Sequence, residues 1–520
     1  MLRGILTVGG WTMASRILGL VREMLIAALL GAGPIADAFF VALKLPNLFR
    51  RLFGEGAFNA AFVPSFSGIL AVEGPHAARA FAEEALSVLA FWLSLVTIAG
   101  ELFMPWLMVV LAPGFSEDPA KFALTVALSR ITFPYLLLIC VAALVAGVLN
   151  GLEKFAAATA SYVLFNVVSI VFMVAFTPYL PTAGHALAWG ITASGVAQLA
   201  LLLWAASRAG MALRLPRPRL TPQMRALMQR MVPGLIGGGV TQINFAVDVI
   251  IMSLLPPGSV ALLNYADRVN QLPLGVIGSA VGTALLPLLS RQVRSGEAEA
   301  ARDTLNRAME YALLLTLPAA LALIVVPVPV MAVLFGRGAF DPESVRLSAQ
   351  SLAAYALGLP AFVLVKVLAP GFFARGDTAT PVKVSVGVII LNFSLNLAFM
   401  KPLGHVGPAL ASSLSASLNI VCLAVLLWRR GQFVPDARLT RVVLRMLGAA
   451  LAMAVALQAA NLWIYVPLES RAGLRWLGLA MLIGVGLAAY FGVGQAIGAF
   501  NLRQFFATFR GRGRKLAQTG

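Results

Sequence analysis

Eight Lys and Arg residues fall inside long apolar stretches of this sequence: Arg16, Arg22, Lys44, Arg50, Arg51, Arg130, Arg268 and Lys366. On insertion scales a cation at the centre of a membrane helix costs roughly 2.5–3.5 kcal/mol, so such a side chain faces water, an opposite charge or a ligand. Arg130 lies near enough to a segment end to snorkel toward the interface. Arg16 and Arg22 sit deep in the first stretch, and Arg50 follows Leu45-Pro46-Asn47, which reads as an interruption of the second. The acids available to them are Glu23, Asp37, Glu55, Asp248 and Asp267; Arg16 and Glu23, seven residues apart, share a helix face. Ion pairs between helices are one use of these charges. The first two stretches, however, hold five basic residues against three acids, so complete neutralisation is impossible there. A hydrated cationic cavity for an anion is the other use. Arginine suits it, because its planar fork grips phosphate or carboxylate at two points and stays charged at any depth. A cation or drug exporter would need an excess of carboxylates instead.

Other chemistries find no support. There is no Walker A run for ATP and no G-x-S-x-G elbow, so transport would draw on an ion gradient, voltage or the substrate's own gradient. Cys140 and Cys422 stand alone in apolar stretches and read as small buried hydrophobes; His76, His185 and His405 form no metal-ligand motif. The net charge of +18 does not indicate nucleic acid, because the basic residues lie in short gaps between apolar segments rather than on one face.

These residues must be positioned by membrane helices. The 520 residues are 60% hydrophobic and 12% charged, with mean hydropathy +0.89, against roughly 25% charge in a soluble domain. Fourteen stretches approach the length of about 20 residues that spans a bilayer. They run approximately over 5–30, 34–68, 82–112, 122–149, 156–178, 183–207, 224–256, 262–290, 308–336, 346–373, 382–402, 405–428, 443–466 and 474–502. The first is read as a retained helix rather than a cleaved signal, since Arg16 and Arg22 interrupt it. With the N-terminus inside, the inner segments hold 25 Lys and Arg and the outer loops 6, so both termini are expected in the cytoplasm.

The halves look related. Segments around Glu23 and Asp248, from Leu45 and Leu272, and from His185 and His405 match in order at nearly constant offset. Six helices per half make the repeat parallel, a transporter plan that places substrate between the halves. The expected fold is therefore an all-α integral membrane protein with fourteen transmembrane helices. Two six-helix lobes, 1–210 and 224–430, flank a cytoplasmic linker at 211–223, and 431–520 adds helices 13 and 14 with a basic cytoplasmic tail. Gly and Pro inside helices recur in both halves, through Pro46 and Gly54 in one and Pro273 and Gly278 in the other. They serve close packing or the bending of alternating access.

The segments SRILGLVRE, GAGPIADAFFVALKLPNLFRRLFGEGAFNAAFVPSFS, YADRVNQLPLGVIGSAVGTALLP and GDTATPVKVS together resemble the MurJ/MviN lipid II flippases of the multidrug/oligosaccharidyl-lipid/polysaccharide exporter superfamily. The resemblance spans essentially the whole chain. It implies a bacterial inner-membrane protein that moves the undecaprenyl-diphosphate-linked peptidoglycan precursor to the outer leaflet by alternating access. It implies substrate-binding roles for Arg16, Arg22, Glu23, Asp37, Arg50, Asp267 and Arg268, a gate at Glu55, and a polyprenyl-tail groove at helices 13 and 14. Glu23 stands where some relatives have aspartate. Some relatives also bind sodium; here the matching positions are Asp248, Asn392, Asn396 and Ser412. With Asn396 rather than a carboxylate the set holds one formal charge, which weakens the case for sodium coupling. No other cofactor is implied. The expected partners are lipid II, membrane lipid and cell-wall synthesis proteins, and the expected state is a monomer. A flippase for another polyprenyl-linked saccharide and a cation-coupled multidrug exporter of the same fold are the alternatives.

Overall fold

Polar caps mark where several helices begin. Asp118 accepts hydrogen bonds from the N–H groups of Ala120 and Lys121, with Pro119 in the first helical position. Thr182, Thr221 and Asp436 cap their helices in the same way. These oxygens satisfy N–H groups that have no partner inside the helix. The computed structural model describes residues 2–51, 57–469 and 473–500, parts of a few helices by backbone alone. The first half contains α1 (Leu2–Leu30), α2 (Pro34–Phe49), α3 (Ala57–Val72), α4 (Pro75–Leu111), α5 (Pro119–Thr132), α6 (Tyr135–Gly151), α7 (Phe155–Phe176), α8 (Ala183–Arg208) and α9 (Pro222–Ser253). Then come α10 (Ser259–Arg294), α11 (Ala298–Val325), α12 (Pro327–Leu334), α13 (Pro342–Phe373), α14 (Ala379–Leu403), α15 (Val406–Arg429), α16 (Ala437–Ala460), α17 (Val466–Glu469) and α18 (Arg475–Ala496). No strand occurs among the described residues.

The protein is an all-helical, multi-pass membrane protein. Among the described residues, ten helical segments are long and apolar enough to cross a bilayer. They coincide with ten of the fourteen expected spans. The other four expected spans fall on α1, on α2 with α3, on α9 and on α10, and do not meet that measure. These are the helices that carry Arg16, Arg22, Asp248 and Arg268.

The chain forms two compact units. Unit 1 is Met1–Ala261 with Arg337–Asp341; unit 2 is Leu262–Gly336 with Pro342–Gly520. This division differs from the lobe boundary read at 211–223, because α9 packs on α3 and α4 and so belongs to unit 1. Residues 337–341 join unit 1 through the end of α1: the Ala339 N–H donates to Ala28 O at 2.8 Å. Gly31 and Gly338, both at positive φ, sit against the backbone of Ala339 and Ala28, where a Cβ would collide. In unit 1 the rings of Phe58, Phe62, Phe66 and Phe81 stack in a core shared by α3, α4 and α6. In unit 2, α11, α13 and α15 enclose one core, and α11, α16 and α18 another.

The expected interruption at Leu45-Pro46-Asn47 is absent: α2 continues through Pro46 to Phe49, and a wider turn follows at Arg50 and Arg51. Proline has no N–H for the carbonyl four residues back, which here is that of Ala42. Thr132 Oγ1 of α5 lies 3.1 Å from that oxygen and 3.2 Å from Ser129 O of its own helix, in a buried contact where one hydroxyl proton serves both. Asn47 Nδ2 bonds the next carbonyl, Leu43 O, at 2.9 Å. The helix stays intact because side chains serve the acceptors.

Candidate functional site

In unit 1, α1 presents Arg22 beside its chain neighbour Glu23. Arg22 Nη2 lies 3.1 Å from Glu23 Oε1, and both side chains are largely buried. The guanidinium also stands 5.0 Å from the Phe165 ring of α7, a cation–π distance. Arg22 Nε is buried and donates to nothing among the described residues. One carboxylate and one ring leave part of its donor fork for a ligand. Arg16, two turns earlier, is exposed.

Asp37, expected to line a cationic cavity, is instead locked into the protein. It is 1% exposed. Lys121 Nζ donates to its Oδ2 at 2.8 Å, and the N–H groups of Gly258 and Ala261 donate at 2.6 and 2.9 Å. The two amides come from Gly258, just before α10, and Ala261 in its first turn, where unsatisfied N–H groups and the helix dipole favour a negative charge. Lys121 is itself 6% exposed and lies 3.9 Å from the Phe115 ring. The carboxylate thus ties α2, α5 and the α9–α10 turn together. Sequence reading left Lys121 in an outer loop. The Asp118-Pro119 start signal, which places Lys121 in the first turn of α5, was the clue to its position.

Arg50 follows α2, and its Nε donates to Asn47 Oδ1 at 3.3 Å. Its side chain lines a cavity of about 280 Å³ within unit 1, walled by α6, α7 and α8. Lys44 and Arg51 lie 4.6 and 5.4 Å from the Phe245 ring of α9, so these two cations pack on an aromatic face. Glu55, the expected gate, lies outside the described residues.

In unit 2, Arg268 on α10 is exposed and Asp267 is half-buried, accepting a hydrogen bond from Gln271 Nε2. The residues matched to a sodium site divide between the units: Asp248, half-buried, belongs to unit 1, and Asn392, Asn396 and Ser412 to unit 2. Asn396 Nδ2 donates to the Asn392 backbone and side-chain oxygens, both at 2.9 Å. Asn396 Oδ1 is buried and accepts nothing among the described residues, an oxygen that suits a cation, although a neutral one. No group of three His, Cys, Asp or Glu with metal-site geometry occurs among the described residues.

Unit 2 also contains an apolar groove of about 470 Å³. Leu272 and Pro273 of α10, Leu315 and Ala319 of α11, and Leu487 and Phe491 of α18 line it, with α12 and α16 completing the wall. Helices 13 and 14 of the sequence reading correspond to α16–α17 and α18, so the groove borders the expected pair. Sequence reading did not single out α10, α11 and α12 as its other walls. Pro318 and Ala319, a small pair in an otherwise Leu-rich helix, are the signal that was available.

The family model for lipid II flippase MurJ matches residues 26–469. A Rhizobium meliloti protein named a probable lipid II flippase MurJ is 45% identical over 504 residues, covering 95% of this chain and 94% of that one. The Burkholderia cenocepacia lipid II flippase MurJ is 36% identical, covering 87% of this chain and 88% of its own. Among solved structures, lipid II flippase MurJ in an inward closed conformation superimposes with TM-score 0.77 at 23% identity, covering 94% of this chain and 98% of that one. An inward-facing multidrug resistance MATE family transporter of the MOP superfamily gives TM-score 0.66 at 13% identity, covering 82% and 97%. At these identities the two structures speak to fold alone. The family match and the full-length relatives go further: this chain belongs to the lipid II flippase MurJ family.

Proposed function

We propose that the protein flips lipid II, the undecaprenyl-diphosphate-linked peptidoglycan precursor, from the inner to the outer leaflet of a bacterial cytoplasmic membrane by alternating access, with both termini in the cytoplasm. The observation that carries this reading is Arg22: a guanidinium within a membrane helix, with the Glu23 carboxylate beside it and a buried Nε that donates to nothing among the described residues. Such a group suits a diphosphate. Arg50 in unit 1 and Arg268 in unit 2 supply further cationic contacts, and Arg16 raises the local potential. The unit 2 groove, lined almost wholly by carbon, supports a site for the polyprenyl tail. Voltage is worth about 2.3 kcal/mol per charge per 100 mV, enough to assist outward movement of net charge. The protein acts as a transporter rather than an enzyme, as a monomer whose partners include lipid II, membrane lipid and proteins of cell-wall synthesis.

The test is a translocation assay with fluorescent lipid II on Arg22→Glu and Arg268→Glu. Both variants insert into the membrane and fail to translocate. Normal flipping by both would remove the roles assigned to them. A cationic dye as substrate separates this reading from multidrug export, which the shared fold alone does not exclude.

A further inference from the structure

A second cleft of unit 1 lies where three membrane segments end: the one closing at Gly151, the one opening at Phe155 and the one closing at Arg208. It measures about 430 Å³, within the range of small-molecule sites, at the boundary between bilayer and water. Lys154 and Arg208 line it, and both are exposed. Neither makes an ion pair among the described residues, and Arg208 rests 5.4 Å from the ring of Trp204. Glu153 lines the same cleft and is exposed too. Among the described residues it is the one non-glycine at positive φ, 59°. The Glu153 N–H donates to Asn150 O at 3.0 Å and the Lys154 N–H to Leu149 O at 2.8 Å, closing a helix end that glycine ordinarily fills. Gly210, Gly376 and Gly431 fill that position after α8, α13 and α15. A glutamate held there against its conformational preference points to work for its side chain.

Two cations at the end of a span would by themselves be ordinary interface anchors. An acid in the same cleft, paired with neither of them, adds a demand that anchoring leaves unmet. Lys154 and Arg208 ask for an anion, and Glu153 for an N–H donor with positive charge. A phosphate diester carrying a primary ammonium two carbons away supplies both. Trp204, Phe155 and the alanines of α7 and α8 offer carbon surface to a glycerol backbone and the first methylenes of acyl chains. A purely anionic headgroup would set negative charge against Glu153, and a quaternary ammonium has no N–H for it to accept. We infer that this cleft binds the headgroup of an aminophospholipid of the phosphatidylethanolamine class, with Lys154 and Arg208 on the phosphate and Glu153 on the ammonium. With the termini in the cytoplasm, the lipid belongs to the inner leaflet, and it fastens the α6–α7 turn to the end of α8. The inference rests on the membrane fold and is independent of the flippase reading.

The test uses the full chain purified in detergent, with dioleoyl phosphatidylethanolamine, phosphatidylglycerol and phosphatidylcholine as probes. Retention is read by native mass spectrometry, and melting temperature is followed with and without each lipid. The parent binds phosphatidylethanolamine about fivefold more tightly than the other two, the worth of one charge-assisted contact at an exposed site. Glu153→Gln abolishes that preference. Glu153→Gly abolishes it as well, yet melts no lower than the parent without lipid, because glycine takes positive φ freely. The double variant Lys154→Gln, Arg208→Gln weakens all three lipids, which share the phosphate. Equal binding of the three lipids by the parent overturns the inference, as does a preference that survives Glu153→Gln. Full retention of phosphatidylethanolamine by the double variant overturns it too. A lipid-free melting temperature that falls in Glu153→Gly would give the carboxylate a structural role and overturn it likewise. Each of these failures leaves the flippase reading intact, since that reading stands on other residues.

Discussion

Replacing Lys121 by Met removes the one side-chain cation that contacts Asp37 among the described residues and leaves a carboxylate that is 1% exposed, held by two backbone amides. Breaking a buried pair from one side costs about 3–5 kcal/mol, most of it the stranded charge. Here the Gly258 and Ala261 amides remain as donors, so about 3 kcal/mol is the expected loss. For a unit of some 260 residues, with an unfolding entropy near 2.1 cal/mol/K per residue, that lowers the melting temperature by roughly 5 °C. Asp37→Asn strands the Lys121 ammonium instead and is expected to cost a similar amount. The double variant Asp37→Asn, Lys121→Met strands no charge: the asparagine oxygen still accepts from one amide, while its NH2 faces the other and leaves that one donor unmatched. Melting in detergent, followed by size-exclusion of the soluble fraction, is expected to show both single variants well below the parent and the double variant recovering at least half of the loss. The double variant also retains translocation. A double variant as unstable as the sum of the singles would refute the account. Stable singles that fail to flip would return Asp37 to the ligand set.

Three further outcomes follow from other contacts. Asp377 lies in the α13–α14 loop, where hydrogen bonds from Arg430 and Thr380 hold its carboxyl well below the usual range. Its contribution to stability is complete above the ordinary carboxylate value of about 4 and is lost as pH falls toward the lowered value, so Asp377→Asn flattens acid melting profiles below about pH 4. Ala319→Trp fills the unit 2 groove and is expected to slow translocation of long-chain lipid II several-fold while sparing a short-chain analogue, read as initial rates in proteoliposomes; equal rates for the two lipids would separate the groove from the tail. Asn396→Asp places a carboxylate at a site 1% exposed, so its melting temperature rises with sodium concentration where the parent's changes little. A parent protein with the same sodium response would show that the neutral oxygens already suffice.

Spacing and composition made the helices legible, since a run of about 20 apolar residues has few alternatives in lipid. Each of the fourteen stretches falls on a helix or a run of helices, though only ten meet the length and hydropathy expected of a span among the described residues. The intramembrane arginines were equally visible, because their cost marks them. Partners were not. Asp37 looked like any acid beside a cationic stretch, and its pairing with Lys121 spans 84 positions that only the packing of α2 on α5 brings together. Pro46 was misread for a related reason: proline signals a missing hydrogen bond, but the sequence does not show that Thr132 supplies a replacement. Gln198 was passed over because an amide in an apolar helix looks like a packing residue until its oxygen proves to have no donor among the described residues.

The hydroxyl on Ala42 O has a dynamic consequence. A proline in a membrane helix ordinarily makes a soft joint, since the freed carbonyl loses little when the segment flexes. With Thr132 fastened to that oxygen, α2 and α5 are cross-braced at Pro46, and flexing there would expose an acceptor where no water reaches it.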